Sequence, residues 1–406
     1  MILTLITFLI VLSILVLIHE AGHYFVAKFF KIKVEEFGYG FPPRLWAKKF
    51  GETEYSINWL PIGGFVKLFG EDDAGGGRIV SAEARSKSHE ASKKNHASSS
   101  ITHDSDNSRA FFSRPASQRA LVVLAGVIMN VLLAVVIYYT YLGISGFKAE
   151  LPLLTPHTFF GVNQTVNSNI IISSVAKDSP ASSAGITPGS VVVAVDKTPI
   201  TTSESFLAYI ASHKGKAVTL TWKDLQTSKE TTKTITPRVN VPKNQGALGV
   251  SFYPVDTAVL SYDTPVQKVF SGVIHPLNLM NYNFVVIKHL IGVSLAEKTA
   301  APISEGLSGP VGIYSVVGTI VHIPDMKERI LNLLNLAGLL SMSLAFFNVL
   351  PIPALDGGRL FFILIEMVTR RKVSQKFEAT AHQVGMIVLL GLLLLITFKD
   401  IFQIFN

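Results

Sequence analysis

Four stretches of the chain run almost without charge: Ile2 to Ala27, Ala120 to Ile144, Leu331 to Leu350 and Val384 to Phe405. Each has the roughly 20 residues that a helix needs to cross the hydrocarbon of a bilayer. Between the first two the pattern changes to alternation. Glu54-Tyr55-Ser56-Ile57-Asn58-Trp59 places polar and apolar side chains on opposite faces, Pro61 and Gly63-Gly64 follow, and Phe65-Val66-Lys67-Leu68 resumes as a second short strand. The pattern predicts a hairpin, with an aromatic-rich approach through Phe37, Tyr39, Phe41 and Trp46 that suits the membrane interface.

The long interval between the second and third apolar stretches predicts a small α+β domain. Ile170 to Val175 reads as a strand, Ser179-Pro180 opens a short helix closed by Gly185, and Val191 to Val195 forms a second strand after the Thr187-Pro188-Gly189 turn. A helix from Ser203 to His213 and strands at Val218 to Trp222 and Thr231 to Thr236 complete it. From Thr264 to Leu295 the chain is apolar but contains Pro276, Lys268, Lys288 and His289, a mixture that fits amphipathic helices on the outer membrane surface. Glu71 to Ser108, rich in Ser, Gly, Lys and Asp, buries too little to fold and is read as a disordered linker. Its His89, His96 and His103 are read as solvated.

Composition agrees with a membrane protein: 406 residues, 49% hydrophobic, mean hydropathy +0.41. The formal charge of +8 gathers beside apolar segments, so it sets orientation rather than marking a nucleic-acid partner. Lys28, Lys31, Lys33, Arg44, Lys48 and Lys49 follow the first stretch; Arg359, Arg370, Arg371, Lys372 and Lys376 follow the third. Both groups belong in the cytoplasm, which puts both termini and the long interval outside. No cysteine is present, so disulfides, thiol nucleophiles and thiolate metal sites are excluded. The first stretch, with its lysines after the apolar run, is a retained span and not a cleaved signal.

The chemistry is concentrated at the ends of two spans. Ile18-His19-Glu20-Ala21-Gly22-His23 carries the H-E-x-x-H pattern. On a helix it sets two imidazoles one turn apart as zinc ligands, with Glu20 beside them as general base. Charged groups at membrane depth are costly and usually mark function. A third ligand must come from the same depth, and Asp356 in Pro351-Ile352-Pro353-Ala354-Leu355-Asp356-Gly357-Gly358 is the candidate, on a span parallel to the first.

These motifs, with Gly126-Val127-Ile128-Met129-Asn130 and the Pro61 to Lys67 hairpin, resemble the bacterial site-2 proteases over nearly the whole chain. Ser179-Pro180-Ala181 through Pro188-Gly189-Ser190 resembles a permuted PDZ domain, with Ser190 where that family usually has Asp. Two further departures are the room for a single PDZ domain and Val127 where the protease family often has proline. The resemblance implies an intramembrane zinc metalloprotease with His19, His23 and Asp356 as ligands, Glu20 as base, and Asn348 and Asn130 near the substrate. Its expected partners are single-span membrane proteins, the bilayer and peptide ligands of the PDZ domain. Its expected place is the bacterial cytoplasmic membrane, with both termini and the PDZ domain extracytoplasmic.

The expected fold is a polytopic α-helical membrane protein of four transmembrane helices with a membrane-associated β-hairpin and an inserted α+β PDZ domain. The expected divisions are span one (1–33), hairpin (34–70), linker (71–110), span two (111–146), PDZ domain (165–255) and amphipathic helices (256–330). Span three (331–358), a cytoplasmic loop (359–381) and span four (382–406) follow. The rival reading is a membrane-anchored PDZ adaptor whose metal motif is idle.

Overall fold

The computed structural model describes residues 1–71, 108–200, 202–224, 229–242, 245–299, 301–306 and 308–405. Of the predicted linker (71–110), residues 72–107 with the three histidines lie outside the described residues, whereas Glu71 and residues 108–110 are described. The chain divides into two compact units.

The first unit comprises residues 1–137, 307–317 and 336–406. Helix α1 (Ile2–Phe29) leads into strands β1 (Val34–Phe50) and β2 (Thr53–Leu68), and helix α2 begins at Ala116 and ends at Ile144. The hairpin differs from the sequence reading. The chain reverses at Gly51-Glu52, where Gly51 has φ +62°, and Pro61 to Gly64 is a bend inside one strand. Because both strands bend, residues 36–39 of β1 pair on one side with Glu54 to Ile57 and on the other with Gly64 to Lys67. The segment 64–68 is thereby an outer strand of the sheet. Its Val66 and Leu68 pack with Ala27, Val34, Val122 and Ile363, which fixes the sheet against the helices. Lys28 and Arg109 both reach Glu52, at 2.6 and 2.7 Å, and hold its carboxyl below the ordinary range.

The second unit comprises residues 138–306 and 318–335. Its sheet runs β3 (Lys148–Leu153), β9 (Val250–Ser261), β4 (Asn163–Val175), β5 (Ser190–Val195), β7 (Val218–Asp224), β8 (Glu230–Ile235), with β6 (Thr198–Pro199) beside β5. Short helix α3 (Pro180–Ala184) starts where Ser179 Oγ accepts from the Ser182 N–H and stops at Gly185. Helix α4 (Ser203–Ser212) buries Phe206 and Ile210 in a core with Ile170, Ile172, Leu220 and Trp222. These elements match the predicted order. Strands β3 and β9 were not predicted, and β9 carries Pro254 within it.

After β9 the expected run of amphipathic helices is instead one helix, α5 (Pro265–Glu297), opened by a Thr264–Gln267 capping box. Pro276 lies inside it and is buried. Helices α6 (Ala301–Gly306), α7 (Pro310–Val321), α8 (Met326–Val349), α9 (Asp356–Thr369) and α10 (Gln375–Phe405) complete the chain. The expected cytoplasmic loop after Gly358 is helical through Thr369, with Phe362 and Ile363 buried. Five helices among the described residues, α1, α2, α5, α8 and α10, are long and apolar enough to span a membrane, one more than the sequence reading named. The difference is α5, whose proline does not end the helix.

Candidate metal centre

The site assembles where α1 touches α2. Gly22 makes the approach possible, since a Cβ there would stand 2.4 Å from the Ala125 carbonyl oxygen. His19 and His23, one turn apart, leave α1 on this face. The His23 Nδ1–H donates to the Val122 carbonyl at 2.8 Å, so the lone pair of the neutral ring lies on Nε2. His19 Nδ1 lies 3.1 Å from the side-chain amide of Asn130, which is fully buried. The amide nitrogen is the atom placed toward the ring; an amide turned by 180° would instead accept from His19 Nδ1–H through Oδ1, which as placed has no partner. His23 presents Nε2 as an acceptor, and with the amide turned His19 does the same.

The third group comes from the other end of the sequence. After α8 the segment Leu350 to Leu355 turns sharply, and α9 begins on Asp356. Gly357 permits the turn, because a Cβ there would fall 2.0 Å from the Leu350 carbonyl oxygen. Asp356 Oδ2 lies 2.9 Å from His19 Nε2 and 3.2 Å from His23 Nε2, and the two Nε2 atoms are 3.2 Å apart. Three electron-pair donors facing one another at these distances repel unless a cation or protons lie among them. A tetrahedral ion with bonds of about 2.1 Å sets its ligands roughly 3.4 Å apart, so the triangle fits zinc closely. Nitrogen and oxygen donors without sulfur suit a catalytic zinc site with an open position.

Glu20 and His23 line a cavity of about 310 Å³ together with Phe65, Asp356, Arg359 and His382. The outer strand 64–68 passes beside Glu20, whose Cγ would stand 3.2 Å from a Cβ on Gly64. Beyond the strand, Glu71 accepts from the Leu68 N–H at 3.1 Å and from the Arg359 guanidinium, tying the sheet's end to the start of α9. A second ion pair, Arg119 to Glu366 at 2.7 Å, joins α2 to the same helix.

The structure thus brings together His19, His23 and Asp356, with Glu20 at the same cavity and Asn130 behind His19. Asn348 stands half-buried one residue before the end of α8 and is not among the residues lining the cavity. Sequence reasoning missed His382 as a site residue and took it only as the first residue of span four (382–406). An ionisable residue next to an apolar run was the available signal.

A model of peptidase family M50 matches residues 7–392. The chain belongs to peptidase family M50. A relative from Clostridium perfringens, a zinc metalloprotease by name alone, is 32% identical over 393 residues, covering 97% of each chain. Zinc metalloprotease RasP of Shouchella clausii is 27% identical over 455 residues, covering 99% of this chain and all of that one. RasP of Geobacillus kaustophilus is 26% identical, covering 99% and 98%. A solved PDZ domain of an SdrC-like protein from Listeria monocytogenes covers 24% of this chain at 23% identity, with a TM-score of 0.18 that is too low to establish a shared fold. This M50 member is a zinc metalloprotease of the site-2 protease type and a multi-pass membrane protein.

Proposed function

We propose that this M50 peptidase cleaves the transmembrane segments of single-span membrane proteins, with His19, His23 and Asp356 holding zinc and Glu20 as general base. The observation that carries the reading is the convergence of two imidazole Nε2 atoms and one carboxylate oxygen within 4.8 Å of one another, beside a cavity that Glu20 also lines. Zinc, when bound, supplies a Lewis acid that polarises a carbonyl and makes water acidic at neutral pH. Glu20 takes the proton of the attacking water and returns it to the leaving amine. Asn130 and the Val122 carbonyl hold the two rings in one tautomer.

A helical substrate hides its carbonyls in internal hydrogen bonds and must unwind locally before attack. Strand 64–68, outermost in its sheet and beside Glu20, is suited to pair with the freed segment. Asn348 keeps its proposed role near the substrate only if the unwound segment extends past the cavity.

The proposed topology has four spans. The contact of His19 with Asp356 supports it, because the C-terminal parts of α1 and α8 then lie at one depth and the two helices run in the same direction. With α2 alone crossing between them the directions agree; with α5 also crossing they oppose. Helix α5, with Lys268, Lys288 and His289, then lies on the outer surface of the bacterial cytoplasmic membrane. The domain of β4 to β9 is proposed to be an extracytoplasmic PDZ domain. Between Val250 and Val255, β9 pairs with β4, while its pairing with β3 begins only at Asp256, which leaves room for peptide to add as a strand.

The test measures zinc per chain and cleavage of a tagged single-span peptide in lipid, for the wild type and a His19→Ala, His23→Ala double variant. One zinc and cleavage in the wild type, with neither in the variant, is the expected result. Cleavage that survives in the double variant would overturn the reading.

A further inference from the structure

Helix α10 grips the segment that carries Asp356. His382 is 4% exposed, and its Nδ1 lies 2.9 Å from the Ala354 backbone nitrogen. The backbone N–H is the donor there, so Nδ1 is the acceptor and the proton of the neutral ring sits on Nε2. One turn further on, Gly385 meets the same segment, since a Cβ there would fall 2.4 Å from the Pro353 carbonyl oxygen. The segment needs holding. Ala354 has φ +80°, a left-handed conformation that an alanine rarely adopts, and it lies two residues before Asp356. His382 Nε2 is buried without a partner, and the residue lines the cavity that Glu20, His23 and Asp356 share.

We propose that His382 is a positioning residue for the peptidase site, its Nδ1 fixing the Ala354 turn and hence the Asp356 carboxylate, and its Nε2–H donating to a substrate carbonyl in the cavity. This rests on the protease reading for the second role; the first is independent of any substrate. The two nitrogens make the roles separable. Asn in place of His keeps an acceptor near the Nδ1 position and removes the Nε2 donor, while Phe keeps the ring's bulk and removes both.

The experiment compares wild type, His382→Asn and His382→Phe in the full chain, reading zinc affinity by chelator competition and then KM and kcat on a single-span peptide. A thermal melt checks that each variant is folded. The Phe variant is expected to lose about 10- to 100-fold in zinc affinity, the usual effect of removing a group that orients a ligand. The Asn variant is expected to regain that affinity and to keep the cleavage defect with zinc bound. Wild-type affinity and kinetics in the Phe variant would reduce His382 to packing and overturn the proposal. So would an Asn variant no tighter for zinc than Phe, or one with unaltered kinetics. If the wild type binds zinc but cuts no peptide, the protease reading fails while the affinity series still decides the Ala354 turn.

Discussion

Gly126 faces His23 so closely that a Cβ built on it would stand 2.5 Å from the ring's Nε2 and 2.8 Å from that of His19. The space beside the two rings therefore exists because α2 has no side chain there. Gly126→Ala should leave the helix as stable or more stable, since alanine gains up to about 1 kcal/mol over glycine in a helix interior. The rings must move instead. Zinc affinity is expected to fall by about 10-fold or more, read by metal analysis and chelator competition, with an unchanged or raised Tm. Full retention of zinc would mean that the rings yield without disturbing the site.

The convergence of His19, His23 and Asp356 was legible because the H-E-x-x-H spacing is a one-turn repeat and because Asp356 follows helix-breaking prolines. What could not be read was the support. That Val122 offers its carbonyl to His23, or that Ala354 leans on His382, depends on which helices touch, and apolar spans look alike in sequence. The same limit explains the hairpin. Gly51 and Gly63-Gly64 are both plausible reversals by composition, and only the pairing of residues 36–39 with two separate segments of β2 decides between them. Pro276 misled in a related way: it is a breaker by local rule, yet it is carried inside a long helix.

Asn130 is fully buried and bonded to His19, so its proposed part is to orient a ligand rather than to meet substrate. Asn130→Ala should weaken zinc binding by about 10- to 100-fold, with kcat falling in step at limiting metal. At saturating zinc the KM for a single-span peptide should stay near the wild-type value. A raised KM with unchanged zinc affinity would instead return Asn130 to the substrate.

In the sheet domain, Asp196 accepts from the Thr219 N–H at 2.7 Å and from the Tyr209 hydroxyl at 2.8 Å. The backbone donor first, and the hydroxyl after it, hold the carboxyl below its ordinary value. A group with a depressed folded value contributes stability that is present above its unfolded value of about 3.9 and is lost as pH falls through the folded one. Melting of the wild type should therefore drop below about pH 4 more steeply than that of Asp196→Asn, whose amide carries no charge to lose. Parallel melting curves from pH 7 to pH 3 would show that the turn contributes nothing to acid sensitivity.

Glu20 separates a working peptidase from an idle anchor for the sheet domain. It lies next to His19 in sequence and lines the cavity with His23 and Asp356, yet it is not one of the three converging donors. Glu20→Gln keeps the side chain's size and removes its ability to take a proton. Zinc content should therefore match the wild type while peptide hydrolysis falls by about 10²- to 10⁴-fold, the usual contribution of a positioned acid-base group. The measurement is single-turnover cleavage of a tagged single-span peptide in lipid, with zinc determined in the same samples. Uncut peptide retained by the zinc-loaded variant would agree with a bound state stalled before proton transfer. Equal rates with zinc in place would remove Glu20 from the chemistry, and loss of zinc would make it a ligand instead of a base.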